Sequence, residues 1–278
     1  MTIWEVDLYR RPLQDEAGHP LWELVICSSD RQIAAYAFCP QPEVNARWVA
    51  EQIADLAAQA ERPKELRVFR PQSLSLVETA GQSLDIPVVP TRRTPALKSY
   101  LRDRLSFYRS LPQYTQEPYE PVQVEQPPPI PLPESLWGDR WQFGAIAAGD
   151  LEPFFREKPV PILEMPGALL PVNLQIPSNQ SVPGVIIEGG RQSMRLARWV
   201  QEQRPVALNY VSGEPDGLIL EAGLCDRWVV ATFTDPDIRQ SAQTYQQRQQ
   251  DSQGLHFLLI QPDDSGVTYS GFWLLQAA

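Results

Sequence analysis

Glu5 and Asp7 stand two residues apart in a run whose apolar positions are Trp4, Val6 and Leu8. At a strand's period of two, both carboxylates lie on one face. Glu23 occupies a second run of the same kind, which makes three carboxylates candidates for one sheet face. Carboxylates converging on divalent cations are what two-metal phosphodiester hydrolysis requires. Further on, the chain carries the opposite charge. Arg92, Arg93, Lys98, Arg102, Arg104 and Arg109 meet only Asp103, with Tyr100 and Tyr108 interleaved. Cations for phosphates and aromatic faces for bases are the usual means of holding single-stranded RNA. Lys98 and Arg102 are i,i+4, off the Leu97, Leu101 and Leu105 stripe. Arg92 and Arg93 precede a helix N-terminus, where unpaired backbone N–H groups favour an anion. Arg67 and Arg70 are expected near the same edge. The bland alternative is a solvated helix face with internal ion pairs.

The strands and helices around these residues come in a definite order. Strand-like alternation covers 3–8, 21–27 and 33–38, with Arg10, Arg11 and Pro12 expected to end the first run. A helix follows from the Asn45 cap, with Val49, Ile53 and Leu56 at helical spacing. Then come a strand at 65–69, a helix carrying Leu74 and Val77, a strand at 87–90, and a helix opened by Thr94 and Pro95. Three strands, then helix, strand, helix, strand, helix, with an acid on the first strand, is the layout of a ribonuclease H-like α/β domain. A nuclease of that kind needs further acids at the first helix, at the end of strand four and near the last helix. Glu43 or Glu51 would have to serve the first. Strand four ends in Val68, Phe69, Arg70 and Pro71, and the last helix opens with Arg92, Arg93, Thr94 and Pro95. Arginine stands where a metal site needs negative charge, so no metal is expected there. The acids then read as residues of a half-exposed sheet face neutralised by nearby arginines.

Composition sets the frame. The 278 residues are 43% hydrophobic and 21% charged, enough for two ordinary cores. The expected organisation is a domain at 1–110, a Pro-rich acidic linker at 111–135 containing Pro127, Pro128 and Pro129, and a second α/β domain at 136–278. The formal charge of −10 argues against non-specific attraction to nucleic acid but leaves room for a local basic patch. Cys27, Cys39 and Cys225 form no C-x-x-C pair; the two strand cysteines, Cys27 and Cys39, read as small buried hydrophobes, and a reducing compartment is expected. His19 and His256 have no partner legible in sequence and read as structural. There is no G-x-S-x-G or P-loop pattern. No apolar run reaches transmembrane length and no leader precedes the first strand, so a cytoplasmic location is expected. No cofactor is expected.

In the second half, strands are expected at 140–148, 185–187, 207–211, 218–222, 228–233, 255–260 and 269–275, with helices at 192–203 and after Asp235. Residues 151–183 resist assignment. Gly189 and Gly190, followed by Arg191, Arg195 and Arg198 at helical spacing, make a second candidate anion site at a strand-to-helix turn. A purely structural turn is the alternative.

Taken together, Trp4-Glu5-Val6-Asp7-Leu8-Tyr9-Arg10-Arg11-Pro12, Arg92-Arg93-Thr94-Pro95-Ala96-Leu97, Leu220-Glu221-Ala222-Gly223-Leu224-Cys225-Asp226-Arg227-Trp228 and Gly271-Phe272-Trp273-Leu274-Leu275 resemble the Tab-two/Atab-two-like proteins of cyanobacteria, algae and plants. The resemblance spans both halves and implies a non-enzymatic RNA-binding factor. It implies action on the 5′ untranslated region of photosystem I reaction-centre messages, in translation and in photosystem assembly, here as a cyanobacterial-type member. It brings no residue-level RNA site. The residues expected to bind single-stranded, A/U-rich RNA are therefore Arg92, Arg93, Lys98, Arg102, Arg104, Tyr100, Tyr108, Arg67 and Arg70, from the charge argument. A protein-binding assembly factor without RNA is the alternative, since the acidic second half suits protein partners. A divalent-metal nuclease using Asp7 comes third.

Overall fold

The computed structural model describes residues 2–277. The chain divides into two compact units, Met1–Glu125 and Gln126–Ala278.

The first unit runs β1 (Ile3–Gln14), β2 (Pro20–Ser28), β3 (Ala34–Pro40), α1 (Ala46–Gln59), β4 (Glu65–Val68), α2 (Pro71–Ser83), β5 (Val88–Pro90) and α3 (Pro95–Ser110). Its single sheet has the order β3-β2-β1-β4-β5. The first three strands pair antiparallel, and β4 and β5 run parallel to β1. That order, with helices in the parallel crossovers, is the ribonuclease H-like topology. Period-two alternation sorts the faces. Trp4, Val6 and Leu8 pack with Val49 and Ile53 of α1 and Val77 of α2. Val25 and Cys27 share the other face with Phe69 and with Ala96, Leu97 and Leu101 of α3. β1 does not stop at Arg10: it continues to Gln14 through a register irregularity between Arg10 and Gln14. Arg11 is thereby carried into the interior, 2% exposed.

The Pro-rich stretch does not stand apart as a linker. Leu13 bridges to Tyr114, and Tyr119, Pro121 and Gln123 supply hydrogen-bond partners to Arg11 and Arg70. Its second part enters the other unit as β6 (Ile130–Pro131). Extended, Pro-rich backbone cannot make a core, but it serves well as a cover whose carbonyls accept hydrogen bonds.

The second unit continues with β7 (Arg140–Ala147), α4 (Ala148–Arg156), β8 (Ile162–Glu164), β9 (Ser181–Glu188), α5 (Ser193–Gln203), β10 (Pro205–Val211), β11 (Asp216–Ala222), β12 (Asp226–Phe233), α6 (Pro236–Asp251), β13 (Leu255–Gln261) and β14 (Gly271–Gln276). Its strands form two sheets, β10-β11-β12-β6 and β7-β9-β13-β14-β8. One core joins them: Leu208, Leu218 and Leu220 from the first sheet, Val185, Leu258 and Trp273 from the second, and Leu196, Val200 and Tyr245 from α5 and α6. The stretch that sequence left unassigned supplies α4 and β8. Gly184 lies where β9 passes Phe257, and a Cβ there would meet the ring at 2.3 Å.

His256 ties the two sheets together. Its Nε2 accepts from the Leu208 N–H at 2.8 Å, and Nδ1 lies 2.7 Å from the Gly254 carbonyl. The Leu208 carbonyl accepts from the Tyr245 hydroxyl at 2.7 Å. Burial pushes the imidazole pKa down to about 4, so the ring is neutral at ordinary pH.

Candidate nucleic-acid interface

The face of the first sheet turned toward α3 carries Glu5, Asp7 and Glu23, all buried. It is covered, not half-exposed. Asp7 accepts from Arg70 Nε at 2.8 Å through one carboxylate oxygen and from Arg11 at 3.0 Å through the other. Glu23 accepts from Arg11 Nε at 2.9 Å, from the Tyr108 hydroxyl at 2.5 Å and from Arg104. The remaining guanidinium groups are also engaged. Arg11 donates to the Tyr119 hydroxyl at 2.7 Å, and Arg70 to the carbonyls of Gln123 and Pro121 at 2.6 and 2.9 Å. Arg70 also lies 4.0 Å from the Tyr9 ring centroid and Arg104 3.8 Å from that of Tyr36. In this corner three guanidinium groups and two tyrosine hydroxyls surround two carboxylates. Among the described residues no group of three or more His, Cys, Asp or Glu is placed to hold a metal ion. Glu51 pairs with Arg47 on the exposed side of α1.

Glu5 has a different task. Its carboxylate accepts from the Leu97 N–H at 2.8 Å, in the first turn of α3. Thr94 precedes the helix as predicted but makes no capping bond, and its hydroxyl is buried without a partner. A carboxylate from β1 therefore takes the place expected for an incoming phosphate at this N-terminus. Burial is the largest influence on Glu5 and raises its pKa. The Leu97 N–H and the charges of Arg67 and Lys98 oppose that rise.

These contacts reshape the predicted RNA site. Arg70, Arg104 and Tyr108 are buried and turned inward, so they hold the fold rather than a ligand. Tyr100 is half-buried, with its hydroxyl 3.1 Å from Arg104. Arg67 is paired with Glu65 at 2.8 Å. Arg93 and Arg102 are exposed; Arg92 and Lys98 are half-buried. Lys98 Nζ donates to the Arg92 carbonyl at 2.7 Å and lies 5.4 Å from the Phe69 ring centroid. Burial, then the charges of Arg92 and Arg102, push its pKa down to about 8. Lys98 thus lies close to Arg92 and Arg102 at the start of α3.

The second candidate closes on inspection. The Gly189 and Gly190 N–H groups donate to the carbonyls of Gln261 and Pro262, and the Gln192 N–H to that of Gly189. A Cβ on Gly189 would meet Ser193 Cα at 2.7 Å, and one on Gly190, at φ +49°, would meet the Asp139 carboxylate at 2.2 Å. The glycines serve close packing beside an acid, with both of their N–H groups bonded to backbone carbonyls. Arg191, Arg195 and Arg198 are exposed outside it.

Sequence reasoning did not find Arg11 or Tyr119, which share the acids with the predicted residues. The signal for Arg11 was its even spacing from Asp7, the i,i+4 position. Trp137, 58% exposed beside an apolar groove of the second unit, also went unremarked.

Strand order and the sealed corner define the class: a ribonuclease H-like α/β unit whose acidic corner is filled by arginines, joined to a second α/β unit. The chain belongs to the Tab2/Atab2 (Tab-two/Atab-two) family. The description "RNA-binding protein Tab2/Atab2 N terminal" matches residues 3–104, and "RNA-binding protein Tab2/Atab2, C-terminal domain" matches 119–276. The chain is 29% identical to a chloroplastic TAB2 homolog of Arabidopsis thaliana, over 98% of this chain and 74% of that protein. It is 30% identical to the one of Zea mays, over 98% and 70%. Among solved structures, the catalytic core domain of HTLV-2 integrase is similar at a TM-score of 0.26 and 14% identity, covering 41% of this chain and 77% of that one. A simian T-cell lymphotropic virus intasome chain is similar at 0.25 and 14%, covering 51% and 64%. Among the described residues no helix is long and apolar enough to cross a membrane.

Proposed function

We propose that the protein is a non-catalytic, single-stranded RNA-binding factor. Its preferred targets are A/U-rich, in the 5′ untranslated regions of photosystem messages, and it supports their translation and photosystem assembly. The observation that carries this is the arginine-filled acidic corner: Asp7 accepts from Arg11 and Arg70, and Glu23 from Arg11 and Arg104, so buried guanidinium groups stand where a two-metal site would need cations. Membership of an RNA-binding family supplies the ligand class. On this reading Arg92, Arg93, Lys98 and Arg102 contact phosphates at the start of α3, with the Tyr100 ring beside them. Three free cysteines suit a reducing compartment such as a cytoplasm or plastid stroma.

Gel-shift titration against a labelled A/U-rich oligonucleotide tests it. The expected outcome is binding that weakens with salt and leaves the RNA intact in magnesium or manganese. Replacing Arg92, Arg93 and Arg102 by Ala should lower the slope of log affinity against log salt by about 0.7 per lost phosphate contact. Equal slopes would refute the site, and cleavage of the RNA would refute the non-catalytic assignment.

A further inference from the structure

A row of cavities follows β7 in the second unit. The first, ≈ 500 Å³, lies between Trp137, Trp141 and the end of β12. The next, ≈ 520 Å³, shares Arg140, Trp141 and Thr232 with it and reaches Phe143 and Ile238. A third, ≈ 340 Å³, shares Phe143 and Ser241 with the second and ends at Tyr245 and Arg248 of α6. Shared wall residues set these cavities side by side along β7, where together they outline a groove. From Arg140 to Ala145 it runs roughly 17 Å at about 3.3 Å per strand residue, the length of a short run of nucleotides.

Three features of the groove favour one kind of occupant. Aromatic rings recur along it. Trp137 is 58% exposed, and its Nε1 donates to the Leu132 carbonyl at 2.9 Å, which fixes the ring as a platform. Trp141 and Phe143, two residues apart on one face of β7, are half-buried; they pack against Phe233 and Tyr245 and also line the cavities. Charge along the groove contradicts the rest of the unit. Residues 126–278 hold 10 basic and 17 acidic side chains, yet the groove is lined by Arg140 and Arg248 against Asp139 alone. Finally, β7 is an edge strand, and β6 pairs with β12 only at Trp228 and Val229. The outer backbone of β7 and the end of β12 thus border the groove without a strand neighbour among the described residues. Stacking platforms, sparse cations and unpaired backbone polar groups match a single nucleic-acid strand, which offers a π-face, a phosphate and a hydrogen-bonding edge at each step.

We infer that this groove binds single-stranded RNA, with bases stacking on Trp137 and on the exposed parts of Trp141 and Phe143, and phosphates near Arg140 and Arg248. The inference rests on the RNA-binding reading above but places a second contact region on the other unit. Arg140, Arg248 and Trp137 are exposed, so replacing them leaves the core in place, and a thermal melt checks this.

The test uses the full chain and a fluorescein-labelled U-rich oligonucleotide, read by anisotropy, with 4-thiouridine crosslinks mapped by mass spectrometry. Trp137→Ala should weaken binding at least about fivefold, the low end of a lost base stack. Arg140→Ala/Arg248→Ala should lower the salt slope by about 1.4, two single-strand phosphates. Crosslinks should fall on peptides covering residues 137–145. Unchanged affinity in both variants, with crosslinks confined to 1–125, overturns the groove and leaves the RNA reading standing. No binding by the wild type at low salt overturns both. A protein partner that survives ribonuclease and is lost only in the groove variants, with RNA affinity intact, assigns the groove to protein and also overturns the inference.

Discussion

Asp7 holds two arginines at once, and none of the three side chains is more than 1% exposed. Removing one member of such a buried set leaves uncompensated charge, so Asp7→Asn should cost about 3–5 kcal/mol in urea unfolding. A loss under 1 kcal/mol would mean that the pairs are marginal to stability. His256 contributes a pH dependence. Its pKa is about 4 when folded against 6.5 unfolded, so its contribution is complete above 6.5 and declines as pH falls toward 4. Between pH 7.5 and 4.5 this amounts to about 2.5 kcal/mol at 1.36 kcal/mol per pKa unit. Comparing the wild type with His256→Gln at both values isolates it: the variant should show the shallower pH slope. Asp7 and the basic cluster were legible because charge and strand period are local properties. That Arg104 and Tyr108 turn inward while Arg102 turns out was not legible, since a helix that covers a sheet presents both of its polar flanks to sequence alike.

At the scale of the element, caps and stripes carried most of the information. Asn45 caps α1, its side chain accepting from the Trp48 N–H at 3.0 Å, and Asp235 caps α6 through two N–H groups. Asn45→Ala should therefore lower stability by about 1 kcal/mol in a thermal or urea melt. Thr94 shows the limit of such signals: the residue type was right, but Glu5 of β1 supplies the hydrogen bond. Gly184 was silent in sequence. Gly184→Ala drives a Cβ into the Phe257 ring and should cost about 1–3 kcal/mol, measured the same way. β1 also ran past its expected end, because Arg10, Arg11 and Pro12 look like a stop until Arg11 finds Glu23 and Asp7.

For the whole molecule, the division point matters. A fragment ending at residue 110 lacks Tyr119, Pro121 and Gln123, which hold Arg11 and Arg70. It should melt well below a fragment ending at residue 125, by roughly 3 kcal/mol or more, since each bond to a charged donor is worth about 1.5–3 kcal/mol. Equal melting would show that the Pro-rich cover is dispensable. The order of strands and helices in the first unit, the alternation that sorts its faces and the position of Asp7 were determined by sequence alone, because periodicity and capping act over a few residues. Which arginines seal the acids, whether a helix N-terminus stays open, and where the Pro-rich stretch lies were decided only by tertiary structure. Those outcomes depend on pairs as far apart as Asp7 and Arg70, or Glu23 and Arg104, that meet only when β4 pairs beside β1 and α3 closes over the sheet.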